Sequence, residues 1–167
     1  STASWKWRLI CHNEEDVCPP ARIGHAQAVI NDQIYIFGGR QGIEMKEQAL
    51  DDLWVLDCSG AIGTEAWSQV NTVAQKGPGP RSFHKMIAVG TDLYVFGGCG
   101  TDGRLADLYK YDTIQNTWEE LGESLLRGRG GANLIYLPTA NKNGDGKLAV
   151  VAGFCGEESN DGHQYDL

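Results

Sequence analysis

Two hexapeptides, IYIFGG at residues 34–39 and LYVFGG at residues 93–98, decide the fold of this 167-residue chain. Each begins with a short run of β-branched and aromatic residues, which favours a β-strand. The glycine pair that follows lets the backbone turn or approach a neighbour closely, where a Cβ atom would clash. From Gly38 to Gly97 the spacing is 59 residues, which indicates an internal repeat.

The residues around each hexapeptide recur in the same order. The landmarks are Arg22, residues 34–39, residues 53–57 and Trp67 in the first copy, and Arg81, residues 93–98, residues 108–112 and Trp118 in the second. A weaker third copy starts at Arg129 and ends with residues 160–166. Four short strands in each copy are typical of a propeller blade. The sequence therefore predicts an all-β propeller with about three four-stranded blades.

The glycine pair, the Tyr-Asp or Leu-Asp pair and the tryptophan together resemble the kelch repeat, which is about 50 residues long. A kelch β-propeller is the fold that this resemblance implies. We expect one kelch-repeat region over residues 1–167, divided into an N-terminal Trp strand in 1–17, blade 1 in 18–70, blade 2 in 78–121 and an incomplete blade 3 in 127–167.

Three runs are also similar to the plant nitrile-specifier, epithiospecifier and thiocyanate-forming proteins. They are YVFGGCGTDGRL at 94–105, RGRGGA at 127–132 and GFCGEESNDGH at 153–163. The resemblance implies a protein that binds Fe(II) and directs the breakdown of glucosinolate aglycones toward nitriles. A kelch-repeat scaffold that binds other proteins without catalysis is the alternative, because a fold does not determine a function.

The same resemblance implies a metal site in the third copy. The residues that match the family's ligands are Glu158, Asp161 and His163, with Glu157 as an alternative carboxylate. Two carboxylates and an imidazole suit a non-haem Fe(II) site. The repeat offers a structural explanation for Asp161 as well, since it falls at the position of Asp52 and Asp107 in the other copies. The sequence alone does not distinguish a metal ligand from a structural residue at Asp161.

Three arginines, Arg22, Arg81 and Arg129, hold the same position in the three copies, so they should meet at one end of the propeller. Guanidinium groups can bind a sulfate or a carboxylate through two hydrogen bonds. A sulfated aglycone, the substrate that the resemblance implies, would suit such a site. Alternatively, each arginine pairs with a nearby carboxylate and ties blades together. The sequence alone does not distinguish substrate binding by these arginines from pairing with carboxylates.

Composition and charge limit the kinds of partner that this protein can bind. With 14 basic and 22 acidic residues the net charge is −8, which argues against a nucleic-acid-binding surface. No run approaches the roughly 18 apolar residues of a membrane span. Five irregularly spaced cysteines and the lack of a recognisable signal sequence predict reduced thiols in a cytoplasmic protein, or a nuclear one.

The number of blades predicts that further blades complete the propeller. Propellers typically have four to eight blades, so three cannot close a ring. We therefore expect half of a six-bladed propeller. Either two copies complete it by exchanging the Trp strand at residues 5–10, or the chain is part of a longer or assembled protein.

Overall fold

The computed structural model describes residues 6–10, 17–42, 48–71, 77–139 and 146–167. Within these ranges the chain forms three antiparallel β-sheets and no helix, which confirms the all-β class. It follows that none of the described residues belongs to a helix long enough to cross a membrane. Four cysteines in this part of the chain are free thiols, namely Cys18, Cys58, Cys99 and Cys155.

Each sheet contains one copy of the repeat, with its strands in sequence order across the sheet. The first sheet consists of β1 (Ala26–Ile30), β2 (Gln33–Phe37), β3 (Leu53–Asp57) and β4 (Ala66–Val70). The second consists of β5 (Lys85–Val89), β6 (Asp92–Cys99), β7 (Arg104–Asp112) and β8 (Thr117–Glu123). The third consists of β9 (Asn133–Leu137), β10 (Lys147–Phe154) and β11 (Glu158–Asp166).

The N-terminal Trp strand lies partly outside the described residues, which omit 1–5 and 11–16. Residues 6–10 are exposed and belong to no strand. Trp7 is fully accessible to solvent, and Arg8 forms an ion pair with Glu65. Pairing of this segment with a blade therefore stays a prediction.

The core lies between the sheets. The first strands of successive copies are neighbours, with β1 next to β5 and β5 next to β9. Between the first two sheets, the indole of Trp118 packs 5.3 Å from the ring of Phe37 and 4.9 Å from that of Tyr111. A second apolar cluster, which includes Phe96 and Leu148, joins the second and third sheets. Each apolar face is thus covered by the next copy of the repeat.

The glycine pairs allow this close approach. Gly98 has a φ of +102°, and a Cβ atom there would lie 2.7 Å from the carbonyl oxygen of Ser82. Its amide donates a hydrogen bond of 2.8 Å to the carbonyl of Arg129 in the next copy. Gly39 makes the equivalent bond of 2.9 Å to the carbonyl of Arg81. The second glycine of each pair therefore links one sheet to the next.

Candidate functional site

The three repeated arginines lie at one end of the sheets, where β1, β5 and β9 begin and β2, β6 and β10 end; we call it the arginine end. Arg81 is the clearest case. Its Nη1 and Nη2 donate hydrogen bonds of 2.7 and 2.8 Å to the two carboxylate oxygens of Asp107. Nη1 also bonds the carbonyl of Gly97, and Nε bonds that of Gly79. Its side chain is almost completely buried.

Both other arginines repeat this geometry. Arg22 donates to Asp52 at 2.6 and 2.8 Å, and Arg129 donates to Asp161 at 2.5 and 3.1 Å. In every copy the arginine and its carboxylate belong to the same blade. The ion pairs therefore stabilise single blades. Neighbouring blades are linked by hydrogen bonds from the amides of Gly39 and Gly98 to the backbone carbonyls of Arg81 and Arg129.

In two of these pairs the pKa of the carboxyl group is lowered. Hydrogen bonds from Arg129 lower the pKa of Asp161 to about 2. For Asp52, burial alone raises the pKa, but hydrogen bonds from Arg22 and Trp54 outweigh it and lower the pKa overall. A sulfate at these arginines would have to compete with an ionised carboxylate in bidentate contact. Substrate binding by Arg22, Arg81 and Arg129 stays a prediction.

The residues predicted to bind iron do not form one cluster. Glu158 is the first residue of β11, opposite Phe154, and Asp161 pairs with Arg129. The other two candidates have partners elsewhere: Glu157 forms an exposed ion pair with Arg127, and Nδ1 of His163 shares a 2.8 Å hydrogen bond with Oγ of Ser124. Within the described ranges no three His, Cys, Asp or Glu side chains converge as a ligand set. The predicted group therefore does not fit Fe(II) in this arrangement.

His163 lies instead in the wall of an apolar cavity of about 70 Å³ between the second and third sheets. Phe96 and Tyr165 also line it. They hold the repeat positions of Phe37 and Tyr111, the two rings that contact Trp118 between the first and second sheets. The cavity therefore corresponds to the place that a tryptophan fills one blade earlier.

Large apolar side chains are exposed at the arginine end. Ile23, Phe83 and Phe154 are 43%, 40% and 41% exposed. The guanidinium of Arg40 lies 5.0 Å from the ring centre of Phe83, and that of Arg104 lies 4.6 Å from the ring centre of Phe154. Arg104 is exposed, whereas Arg40 is buried. We call Ile23, Phe83, Arg104 and Phe154 the loop-end surface.

The interpretation of the sequence did not include this surface. The available signal was Phe83, which stands where the other copies have Gly24 and Gly131. A residue that differs from its repeat equivalents, as Phe83 does, is therefore the signal that could have indicated this surface.

Known proteins resemble this chain along most of its length. The model of the KLHDC2/KLHL20/DRC7 Kelch-repeats domain matches residues 1–167. A tRNA wybutosine-synthesizing protein 2/3/4 of Arabidopsis thaliana is 34% identical over 114 residues, which cover 68% of this chain and 10% of that protein. The N-(sulfonatooxy)prop-2-enimidothioate sulfolyase of Thlaspi arvense is 34% identical over 128 residues, covering 75% of this chain and 34% of that protein.

Kelch domain-containing protein 3 of Bos taurus is 31% identical over 113 residues, covering 66% of this chain and 28% of that protein. The chain thus spans about a tenth to a third of the length of these relatives. The family model covers all three copies of the repeat, and each copy forms a separate antiparallel sheet. The chain belongs to the kelch-repeat family, and its three sheets are the blades of a partial kelch propeller.

Proposed function

We propose that this chain is a kelch-repeat interaction module that binds a protein or peptide segment through the loop-end surface. The observation that carries the proposal is the exposure of Ile23, Phe83 and Phe154, one from each blade, at the same end. Aromatic residues and arginine are enriched in the cores of protein interfaces, and this surface combines both.

The backbone beneath the surface is held in place. The amide of Phe83 donates to the carbonyl of Gly24 at 2.6 Å, and the carbonyl of Phe83 accepts from the amide of Gly131 at 2.9 Å. One residue of blade 2 is thereby bonded to both neighbouring blades. A surface ordered before binding loses less conformational entropy when a partner docks.

The exposed residues are also contiguous. Gly130 pairs with Phe154 in an isolated β-bridge, and a Cβ atom on Gly130 would lie 3.5 Å from Cβ of Phe83. The two phenylalanines therefore flank one glycine. A single extended segment can contact both rings.

Selection from a display library of random peptides tests the module. Peptides selected on the wild-type protein should bind Phe154→Ser about tenfold or more weakly, since removal of a central aromatic residue typically costs that much. Ile114→Ser is the matched control, because Ile114 is exposed in the turn between β7 and β8 at the opposite end. Failure to select any binder, or equal losses in both variants, would contradict the proposal.

A second candidate function is the specifier activity that the sequence resemblance implies. Its support is the sulfolyase of Thlaspi arvense, which is similar over 75% of this chain. Glu157, Glu158, Asp161 and His163 do not form one cluster, which does not favour it, and we derive no step through iron.

Product analysis tests this second candidate. A glucosinolate is incubated with a thioglucosidase, with and without the protein and with and without added Fe(II). The specifier function predicts a larger nitrile fraction relative to isothiocyanate when protein and Fe(II) are both present, and loss of this effect in His163→Ala. An unchanged product ratio would exclude the activity for that substrate.

Completion of the propeller is the remaining part of the proposal. The cavity beside Phe96 and Tyr165 corresponds to the place of Trp118, and among the described residues no indole fills it. The exposed Trp7 segment of a second copy suits this place, since it brings a large apolar ring to the outer edge of β11.

Sedimentation velocity checks the assembly. We expect the mass of a dimer for the wild type and a shift toward the monomer for Trp7→Ala, with Leu125→Ala, another exposed apolar position, as the control. A compact monomer at all concentrations would show that a second copy does not supply the strand.

A further inference from the structure

We infer that Phe83 is the recognition residue of the loop-end surface, and that the segment it binds carries a large apolar side chain next to a carboxylate. This inference rests on the proposed function and names the class of partner.

The backbone of Phe83 is strained. Phe83 has a φ of +55°, in the left-handed region that bulky residues rarely adopt. The equivalent positions in the other blades are Gly24 and Gly131, with φ of +64° and +68°. The repeat thus requires a left-handed residue here, and glycine supplies it without strain. Strained residues of this kind cluster at binding and catalytic sites.

The ring of Phe83 is not needed for the hydrogen bonds that this position makes. Both interblade hydrogen bonds of Phe83 use its backbone amide and carbonyl, which a glycine would retain. The ring instead lies over Gly24, where a Cβ atom would approach it to 3.2 Å, and a large part of it faces solvent. A ring that is costly to hold and remains exposed is explained by a partner that covers it.

A positive charge lies beside the exposed rings. The guanidinium of Arg104 stacks on Phe154, and within the described part of the chain it forms no ion pair or hydrogen bond through its side chain. A cation over an aromatic ring is attracted to the face of the ring and does not engage its N–H groups with another residue of the chain, so these donors remain available. A carboxylate is the group that those donors bind through two hydrogen bonds.

The overall charge of −8 repels acidic segments at long range, but this repulsion is screened beyond about 8 Å at physiological ionic strength. The acidic preference must therefore come from the local contact with Arg104. Since Phe83 and Phe154 flank Gly130, an apolar side chain that covers the Phe83 ring places its neighbour close to Arg104.

The test uses three fluorescently labelled peptides: Glu-Glu-Phe-Glu-Glu, Gln-Gln-Phe-Gln-Gln and Glu-Glu-Gly-Glu-Glu. Binding to the wild type should be strongest for the first. The Phe83→Gly variant should unfold at a temperature no lower than the wild type, yet bind the first peptide about tenfold or more weakly. Arg104→Gln should weaken binding of the glutamate peptide and leave that of the glutamine peptide unchanged.

The outcomes separate the inference from the proposed function. If Phe83→Gly binds as tightly as the wild type while Phe154→Ser loses binding, the module stands and the role of Phe83 is wrong. If Phe83→Gly unfolds at a clearly lower temperature, the ring is structural and the inference is overturned. If Arg104→Gln weakens both Phe-containing peptides equally, the carboxylate preference is wrong. If the display selection itself yields no binder, the proposed function fails.

Discussion

Replacing Asp107 by alanine is expected to destabilise the protein by about 3–5 kcal/mol, the usual cost of leaving a buried charge without its partner. The side chain of Arg81 is only 2% exposed, so water cannot replace the lost carboxylate. The carbonyls of Gly79 and Gly97 would remain as acceptors, but neither carries the opposite charge. Urea unfolding of wild type and variant measures the difference.

Two further variants identify the cause. Asp161→Ala removes the equivalent carboxylate in blade 3, where the side chain is 48% exposed, and should cost clearly less because water reaches the site. The double variant Arg81→Met with Asp107→Leu should recover much of the loss, since a buried pair replaced by apolar residues is often tolerated. Both arginines are equally buried, whereas 13% of the Asp107 side chain and 48% of the Asp161 side chain are exposed. If Asp107→Ala and Asp161→Ala cost the same, exposure of the carboxylate is therefore not the determining factor.

Acid is expected to destabilise the protein through His84. This side chain is buried, with its ring 5.4 Å from that of Phe37 in an edge-on contact. Burial, together with the charge of Arg81, lowers the pKa of His84 to about 3 from an ordinary value of 6.5. The folded protein therefore keeps His84 neutral at pH values where the unfolded chain is protonated.

The direction of the pH effect on stability follows from the difference between the pKa of His84 in the folded and unfolded states. The contribution of His84 to stability is complete above about pH 6.5 and decreases as the pH falls toward about 3. Within that pH range, each unit of decrease lowers the free energy of unfolding by about 1.4 kcal/mol, because the unfolded chain binds one proton that the folded protein does not. The total loss is on the order of 4–5 kcal/mol, a large part of the stability of a typical domain.

Urea unfolding at a series of pH values measures this dependence for the wild type and for His84→Leu. The leucine variant should lose most of the slope between about pH 6.5 and 4.5, a range above that in which most carboxylates titrate. His25→Leu is the comparison, because His25 is exposed in the equivalent position of blade 1. Partial burial and the charge of Arg22 lower the pKa of His25 as well, so its removal should also reduce the slope, but by less than His84→Leu. An unchanged slope in His84→Leu would show that other groups cause the acid sensitivity.

The fold was predictable because its signals are local. The runs at 34–39 and 93–98 combine β-branched and aromatic residues, which favour strands, and they recur at a spacing of 59 residues. The glycine pairs mark where successive blades meet. The same periodicity places Asp161 at the position of Asp52 and Asp107, which is why the sequence alone indicated a structural role for it. All three aspartates indeed pair with the arginine of their own blade.

The candidate site was less predictable. The resemblance grouped Glu157, Glu158, Asp161 and His163 because they are close in sequence. Neighbouring residues of an extended strand point to opposite faces, and a β-bulge in the pairing of β10 with β11 changes the register near Ser159. His163 thus bonds Ser124 in another blade, a contact across 39 residues that no local pattern reveals.

By itself, the sequence determined the number of blades, the order of their strands and the positions of the arginines and aspartates, because these depend on residue type and repeat spacing. Only the tertiary structure decided what the arginines contact, since the partner of Arg81 lies 26 residues away and is brought near by the pairing of whole strands. It also decided which residues face solvent at the arginine end. Phe83 is exposed and strained because its backbone is bonded to blades on both sides, a condition that exists only once the three sheets have packed.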